Sequence, residues 1–249
     1  MNVMEGIWRK IFIKNTYSSI RGRGIHKCAK DLYNDLQSNI EETQYCLKLD
    51  VRKFYPSIDH DILYKIIQKK IKDKWLLKLL KEIIYSADGV PIGNYLSQFF
   101  ANLYLTYFDH WIKENVRCKY YYRYADDIVI LDSNKDHLRN ILIAIKFYFH
   151  NILKLEIKSN YQVFPVEDRG IDFVGYIFRH RYRLLRKSIK IKISKLIRRY
   201  MNKRISKCAF ESRMTSYRGW LKFCDSKHFS YIVEHLSKYR LSTWNGDLT

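Results

Sequence analysis

The chain has 249 residues, 47% of them hydrophobic and 29% charged, so it can form a sizeable core and is neither disordered nor fibrous. Its 46 Lys and Arg residues against 25 Asp and Glu residues give a net charge of +21, which favours a polyanionic partner, most simply nucleic acid, although an anionic membrane would also attract it. Five cysteines without a Cys-x-x-Cys pair, no long apolar run and no leader-like start argue against a disulfide framework, a zinc site and a membrane span, so we expect a cytoplasmic protein with no membrane partner.

Hydrophobic periodicity predicts strands and helices in the first two thirds of the chain and helices alone in the last third. In chain order the predicted elements are strand 44–51, helices 58–71, 75–84 and 97–112, strands 119–124 and 128–131, helix 135–150, strands 171–178 and 182–185, and helices beyond 187. Ser57 is the predicted N-cap of the first of these helices. This order predicts an α+β domain followed by a helical appendage.

The predicted appendage is also the most basic part of the chain. Residues 179–240 contain 19 Lys and Arg against three acidic residues. A positive field concentrated in one region favours a docking face for a polyanion over a general solubilising role.

Three aspartates lie at the ends of apolar strands. Asp50 ends the first predicted strand, and Asp126 and Asp127 lie at the tip of the first hairpin. Carboxylates beside buried strands are unfavourable unless a cation joins them, and Mg²⁺ is the natural candidate because one or two carboxylates and substrate phosphates usually hold it. Two such ions can stabilise an in-line phosphoryl displacement. Alternatively, Asp126 and Asp127 are ordinary turn residues.

Several short motifs follow one another in a characteristic order. They are Asp-Val-Arg-Lys-Phe-Tyr at 50–55, Gly-Asn-Tyr-Leu-Ser-Gln at 93–98, Tyr-Ala-Asp-Asp at 124–127, Leu-Glu-Ile-Lys at 155–158, Asp-Phe-Val-Gly-Tyr at 172–176, and an upstream motif at 17–26. Together they resemble the reverse transcriptases over nearly the whole chain. The resemblance implies a right-hand polymerase palm, which is an antiparallel sheet with packed helices, together with truncated fingers and a basic helical thumb. The implied domains are a residual fingers segment at 1–43, the palm with its primer-grip hairpin at 44–178, and the thumb at 179–249.

The resemblance also implies roles for individual residues. Asp50, Asp126 and Asp127 would bind two Mg²⁺ ions, with Mn²⁺ as a possible substitute, and Lys158 would give a proton to the leaving pyrophosphate. Tyr55 would exclude a ribose 2′-hydroxyl. The other implied nucleotide-binding residues are Val51, Ile92, Gly93, Gln98, Arg21 and Arg23, and the implied primer grip is Phe173, Val174 and Gly175. A core position for Tyr55 and solvated positions for Lys158, Arg21 and Arg23 are the alternatives.

One motif departs from the common pattern of the family. Most reverse transcriptases have Gln before the motif glycine and Ser-Pro at its end, whereas this chain has Ile92 and then Ser97-Gln98. This form resembles the enzymes of diversity-generating retroelements, which copy a template RNA into cDNA with errors at adenines during mutagenic retrohoming. The resemblance implies template RNA, an RNA–cDNA duplex, dNTPs and a small basic accessory protein as partners. The alternatives are a defence-associated or unknown-group bacterial reverse transcriptase and a non-catalytic RNA-binding remnant.

Overall fold

A computed structural model describes residues 2–91 and 95–236. In chain order its helices are α1 (Asn2–Arg9), α2 (Ile25–Ser38), α3 (His60–Gln68), α4 (Lys74–Ile84), α5 (Tyr95–Glu114), α6 (Lys135–Asn151), α7 (Val166–Arg169), α8 (Lys187–Met201), α9 (Lys207–Leu221) and α10 (Lys227–Leu236). Its strands are β1 (Tyr45–Asp50), β2 (Tyr120–Tyr124), β3 (Asp127–Asp132), β4 (Gln162–Pro165), β5 (Ile171–Phe173), β6 (Tyr176–Phe178) and β7 (Arg183–Leu185). The mixed helix and sheet predicted from the sequence is confirmed. Over these residues no helix is long and apolar enough to cross a membrane.

The chain divides into two compact units, with the boundary between Arg169 and Gly170. The first unit is built on an antiparallel four-stranded sheet with the strand order β2-β3-β1-β4. β1 therefore lies inside the sheet, and its two central leucines are buried because helices cover that face. The aromatic helix α5 supplies much of this core, and Trp8 of α1 packs its indole against Phe99 and Phe100.

The start of α3 differs from the prediction. Asp59 is the N-cap, because its carboxylate accepts a hydrogen bond from the backbone N–H of Ile62 at 3.0 Å. Ser57, the predicted cap, instead ends a short 3₁₀ turn that begins at Tyr55. Both residue types cap helices well, but Ile58 is extended, with ψ of 117°, and separates the turn from α3.

Helix α4 forms as predicted, but its apolar residues do not all face the core. Leu80 and Ile84, one turn apart, are buried and fix the inner face. Trp75 and Leu79 lie on the opposite side and are 83% and 53% exposed.

The second unit contains a three-stranded antiparallel sheet, β5-β6-β7, and helices α8 to α10. The predicted single strand 171–178 is wrong, since it is interrupted at Val174 and Gly175, which have φ values of 41° and 85°. A Cβ on Gly175 would lie 2.3 Å from the Trp220 ring, so this turn needs glycine for both its backbone and its packing.

Candidate active site

Strand pairing brings the three predicted catalytic aspartates together. β1 and β3 are antiparallel, and Asp50 is the direct partner of Asp127. Side chains of directly paired residues lie on the same face of a sheet, with Cα atoms about 5 Å apart. Asp126, in the turn that joins β2 to β3, makes a side-chain hydrogen bond with Asp50. Residues 76 positions apart in the sequence therefore form one acidic site.

The surroundings of the Asp126 carboxyl perturb its pKa strongly. Burial, followed by the hydrogen bond and the negative charge of Asp50, raises the pKa of Asp126 to about 6. Two carboxylates in contact resist simultaneous ionisation unless a positive charge joins them. The arrangement therefore favours a cation.

Two lysines place positive charge beside these acids. The ammonium group of Lys158 donates a hydrogen bond to Oδ2 of Asp50, which raises the pKa of Lys158. Its backbone N–H also donates to the Asp50 carbonyl at 2.9 Å, so the segment before β4 is fixed to the end of β1. Lys48 Nζ lies 3.9 Å from Oδ2 of Asp127. Sequence reasoning missed Lys48, although it stands two positions before Asp50 on the same face of the strand.

The donor set suits a hard divalent cation in its chemistry, because Asp50 is paired with Asp127, Asp126 lies beside Asp50, and carboxylate oxygens are the ligands that such cations prefer. Within the two described ranges, no group of three or more His, Cys, Asp and Glu side chains is arranged as a ready-made metal cluster. Metal binding by the three aspartates stays a prediction.

Tyr55 lies beside the acids. It is half-buried, and burial followed by the charge of Asp126 raises the pKa of its hydroxyl. Its carbonyl accepts a hydrogen bond from the Val90 N–H at 3.0 Å. Gly89, with φ of 64°, packs so closely that an added Cβ would lie 2.3 Å from the Tyr55 carbonyl oxygen. The segment after α4 therefore fixes the backbone of Tyr55.

The upstream motif contacts the helix that carries Gln98. Ser19 Oγ donates a hydrogen bond to Gln98 Oε1 at 2.6 Å, and Asn102 Nδ2 donates to the Ser18 carbonyl at 2.8 Å. These two contacts join the loop at 17–26 to the first turns of α5. Gln98 is exposed, so its amide nitrogen remains accessible to a ligand.

The two arginines of the upstream motif differ in their surroundings. Arg23 Nη1 donates to the carbonyls of Ile13 and Thr16 at 2.5 and 2.8 Å, so this guanidinium braces the loop. Arg21 is exposed and lines, with Arg23, a cavity of about 510 Å³ between α1 and α2. Arg21 is thus better placed for a phosphate contact than Arg23.

The remaining predicted nucleotide-binding and primer-grip residues fall into three groups. Val51 is buried and bridges to Ile157 through its backbone, so its side chain belongs to the core. Ile92 and Gly93 lie outside the described residues. The predicted primer grip, Phe173 to Gly175, belongs to the second unit, where it forms β5 and the turn after it.

A buried arginine supports the turn that carries Asp126 and Asp127, and sequence reasoning missed it. Arg123, at the end of β2, is fully buried and donates to both carboxylate oxygens of Asp109 on α5, at 2.7 and 2.5 Å. Its Nη1 also donates to the carbonyl of Ala125 at 2.8 Å. Ala125 has φ of 55° and precedes Asp126. One guanidinium therefore joins the motif helix to the turn that carries two of the acids.

The same carboxylate receives two further hydrogen bonds. Thr16 Oγ1 donates to Asp109 at 3.0 Å and the Tyr121 hydroxyl donates at 2.5 Å. With four donated hydrogen bonds, the buried charge of Asp109 is well satisfied. Two sequence signals could have revealed this pair: Arg123 interrupts the tyrosine run of β2, and Asp109 interrupts the aromatic stripe of α5.

Comparison with known proteins identifies the family to which this arrangement belongs. Residues 2–178 match the family described as reverse transcriptase (RNA-dependent DNA polymerase). The chain belongs to this family. The family domain is that of an RNA-directed DNA polymerase, a nucleotidyltransferase, so the prediction of this enzyme class is confirmed. Asp50, Asp126, Asp127 and Lys158 all lie inside the matched range.

The chain is also similar to bacterial proteins, of whose length it spans between 43% and 76%. The retron Ec73 reverse transcriptase of Escherichia coli is 26% identical, over 92% of this chain and 76% of its own length. Protein YkfC of Escherichia coli strain K12 is 24% identical, over 74% of this chain and 58% of its own length. The group II intron-encoded protein LtrA of Lactococcus lactis is 20% identical, over 76% of this chain and 43% of its own length.

Solved structures show the same fold. A telomerase from Candida tropicalis, in complex with a fragment of telomeric RNA, matches with a TM-score of 0.58 and 13% identity over 79% of this chain. The apo telomerase from the same organism matches with a TM-score of 0.55 and 16% identity over 72% of this chain. This chain spans 40% and 38% of those two telomerase chains. At such identities the likeness shows the polymerase fold alone.

Proposed function

We propose that this protein copies an RNA template into DNA. The observation that carries the proposal is the pairing of Asp50 with Asp127 across β1 and β3, with Asp126 in contact with Asp50. A structural turn would not need three acids close together beside a buried core, whereas phosphoryl transfer does. Membership of the reverse transcriptase family supports the same reaction.

The proposed roles follow from the positions of the side chains. Asp50, Asp126 and Asp127 would hold two Mg²⁺ ions, for which Mn²⁺ could substitute, and such ions neutralise the triphosphate and lower the pKa of the attacking 3′-hydroxyl. Lys158 holds a proton next to Asp50 and would give it to the leaving pyrophosphate. Tyr55, fixed by its backbone beside Asp126, would occupy the space below C2′ and exclude a ribonucleotide.

The same proposal gives nucleic-acid-binding roles and domain names to parts of the chain outside this site. Residues 179–249, which include the basic helix α8, would act as a thumb on the RNA–cDNA duplex, and residues 44–178 would be the palm. Phe173, Val174 and Gly175 would form the primer grip, and Arg21 and Gln98 would contact the incoming dNTP or the template. Residues 1–43 would be the fingers segment.

Primer extension by the purified chain on an RNA template tests the catalytic proposal. Asp126→Asn should reduce the extension rate by about 100-fold or more, the size expected when a group that stabilises transition-state charge is lost. Asp132→Asn is the matched control, because it makes the same change at the opposite end of β3. Equal extension by Asp126→Asn and the unchanged chain would refute catalysis at this site. The remaining interpretation would then be a non-catalytic RNA-binding remnant.

The subtype proposed is a diversity-generating retroelement enzyme that makes errors opposite template adenines and works with a small basic accessory protein. Support comes from the sequence, because Ile92 stands where most reverse transcriptases have Gln, and an aliphatic side chain cannot hydrogen-bond the nucleotide. Ile92→Gln should lower misincorporation opposite adenine, measured by sequencing the cDNA. An unchanged error spectrum would show that Ile92 does not cause misincorporation.

A second candidate is a defence-associated or unknown-group bacterial reverse transcriptase. The observation that favours it is the similarity to the retron enzyme over 92% of this chain. The gene neighbourhood separates the two candidates. A pair of near-repeats that differ at adenines, beside a small basic reading frame, would decide for the retroelement.

A further inference from the structure

A dense row of lysines covers the end of α3, the connection after it and most of α4. Residues 65–81 contain seven lysines and one acid, Asp73, and all seven lysine side chains are exposed. They are Lys65, Lys69, Lys70, Lys72, Lys74, Lys78 and Lys81. In the part of the chain that the structure describes, none of the seven forms an ion pair with a carboxylate. We name residues 65–81 the lysine surface.

The single acid of this surface has a structural role. The carboxylate of Asp73 accepts a hydrogen bond from the backbone N–H of Leu76 at 2.7 Å and so caps α4. Lys74 and Lys78 follow on one side of the helix, one turn apart, where like charges repel and weaken an isolated helix. An arrangement of this kind favours an anion that neutralises both lysines.

A large aromatic ring stands among these charges. Trp75 is 83% exposed, and Leu79, one turn further, is 53% exposed. An indole normally buries most of its surface, and Trp75 lies beside Lys78 at the i+3 position, where side chains on a helix are neighbours. A ligand for this surface must therefore present negative charge and a flat apolar face together.

A single nucleic acid strand meets both requirements. Its phosphates are anionic, its unpaired bases have exposed flat faces, and stacking on an aromatic ring tolerates any base. A duplex hides those faces between its base pairs. A helix that lies in a membrane has a broad apolar side, whereas the exposed side of α4 offers Trp75 and Leu79 with Glu82 next to them.

We propose that the lysine surface binds single-stranded RNA, with an unpaired base stacked on Trp75 and phosphates bound by Lys74 and Lys78. The identification of that strand as the template rests on the proposed function, whereas the affinity for a single strand does not. The surface belongs to the same unit as the catalytic acids, and the segment after α4 packs Gly89 against the backbone of Tyr55.

Fluorescence anisotropy of the full chain with labelled oligouridine, without dNTPs, tests the surface. Trp75→Ala should weaken binding by about tenfold, as expected for the loss of one stacked base, and Trp75→Phe should recover much of it. In the double variant Lys74→Gln and Lys78→Gln, the slope of log K against log salt concentration should become less steep by about 1.4, because two single-strand phosphate contacts are lost. Phe147→Ala is the matched control, because Phe147 is an aromatic residue 66% exposed on α6.

Two outcomes would overturn the proposal. One is oligouridine binding by Trp75→Ala equal to that of the Phe147→Ala control. The other is a Trp75→Ala variant that loses binding to phosphatidylserine vesicles but keeps its RNA binding, which would make the surface a membrane contact.

A hairpin-extension assay separates this proposal from the proposed function. Trp75→Ala and the unchanged chain should extend a self-priming hairpin without a long unpaired template equally well. Failure of the unchanged chain to extend this hairpin would refute the proposed function and leave the binding result intact.

Discussion

Replacing Arg123 by Met is predicted to destabilise the first unit strongly. The substitution leaves the fully buried carboxylate of Asp109 with Thr16 and Tyr121 as its remaining side-chain donors, and it removes a donor from the Ala125 carbonyl. Breaking a buried ion pair by removing one partner costs about 3–5 kcal/mol. That is a large part of the stability of about 5–15 kcal/mol that a domain has.

The partner substitution makes this prediction sharper. Replacing a whole buried ion pair by apolar residues is often neutral, but Asp109→Leu would leave the hydroxyls of Thr16 and Tyr121 without this acceptor, at about 1 kcal/mol each. The double variant Arg123→Met with Asp109→Leu should therefore lose about 2 kcal/mol, less than Arg123→Met alone. Such coupling is what a double-mutant cycle measures.

Hydrogen–deuterium exchange of β2 and β3 peptides in increasing urea is the assay, since it reports the first unit separately from the second. Arg139→Met is the control, because Arg139 forms an exposed pair with Asp136 and should change the free energy of unfolding by less than about 0.5 kcal/mol. The reasoning would be refuted if Arg123→Met matched this control, or if the losses of the two single variants simply added in the double variant.

Three further predictions concern the site. Burial and the Asp50 carboxyl raise the pKa of Asp126 to about 6, so the free energy of unfolding without metal should fall as pH rises from about 4 through 6. Asp50→Asn should reduce this fall without abolishing it, because burial is the larger cause of the raised pKa. If urea unfolding of Asp50→Asn showed the same pH profile as the unchanged chain, the role given to Asp50 would be contradicted. Tyr55→Ala should increase ribonucleotide incorporation relative to dNTPs in primer extension, and unchanged selection would show that another group excludes the 2′-hydroxyl. Gly89→Ala should lower the free energy of unfolding by about 1–3 kcal/mol, because its Cβ would overlap the Tyr55 carbonyl, whereas Gly22→Ala, with φ of 78° and open space, should lose less.

Local sequence patterns were sufficient for the strands that carry the acids, because alternation and helical spacing are set by the nearest residues. Asp50, Asp126 and Asp127 each stood at the end of an apolar run, and the structure pairs Asp50 with Asp127 at the end of the two inner strands, with Asp126 beside Asp50. The predicted cap of α3 was two residues too early, because Ser57 and Asp59 are both good caps and the extended backbone of Ile58 between them is visible only in the structure.

Long-range contacts explain what the sequence alone did not reveal. The interruption at Val174 and Gly175 depends on the packing of Gly175 against Trp220, 45 positions away. The role of Arg123 depends on Asp109 and on the turn at Ala125, which come together only when β2 packs against α5. Likewise, the face of α4 that carries Trp75 could be assigned only once Leu80 and Ile84 were known to point inward.

The pairing of β1 with β3 makes the proposed catalytic centre intolerant of small shifts. Six consecutive residue pairs join the two strands, ending at Asp50 and Asp127, and successive side chains of a strand point to opposite faces. Removing one residue from either strand would turn one carboxylate to the far side of the sheet, with no intermediate geometry. The register of β1 against β3 therefore fixes which two carboxylates face each other.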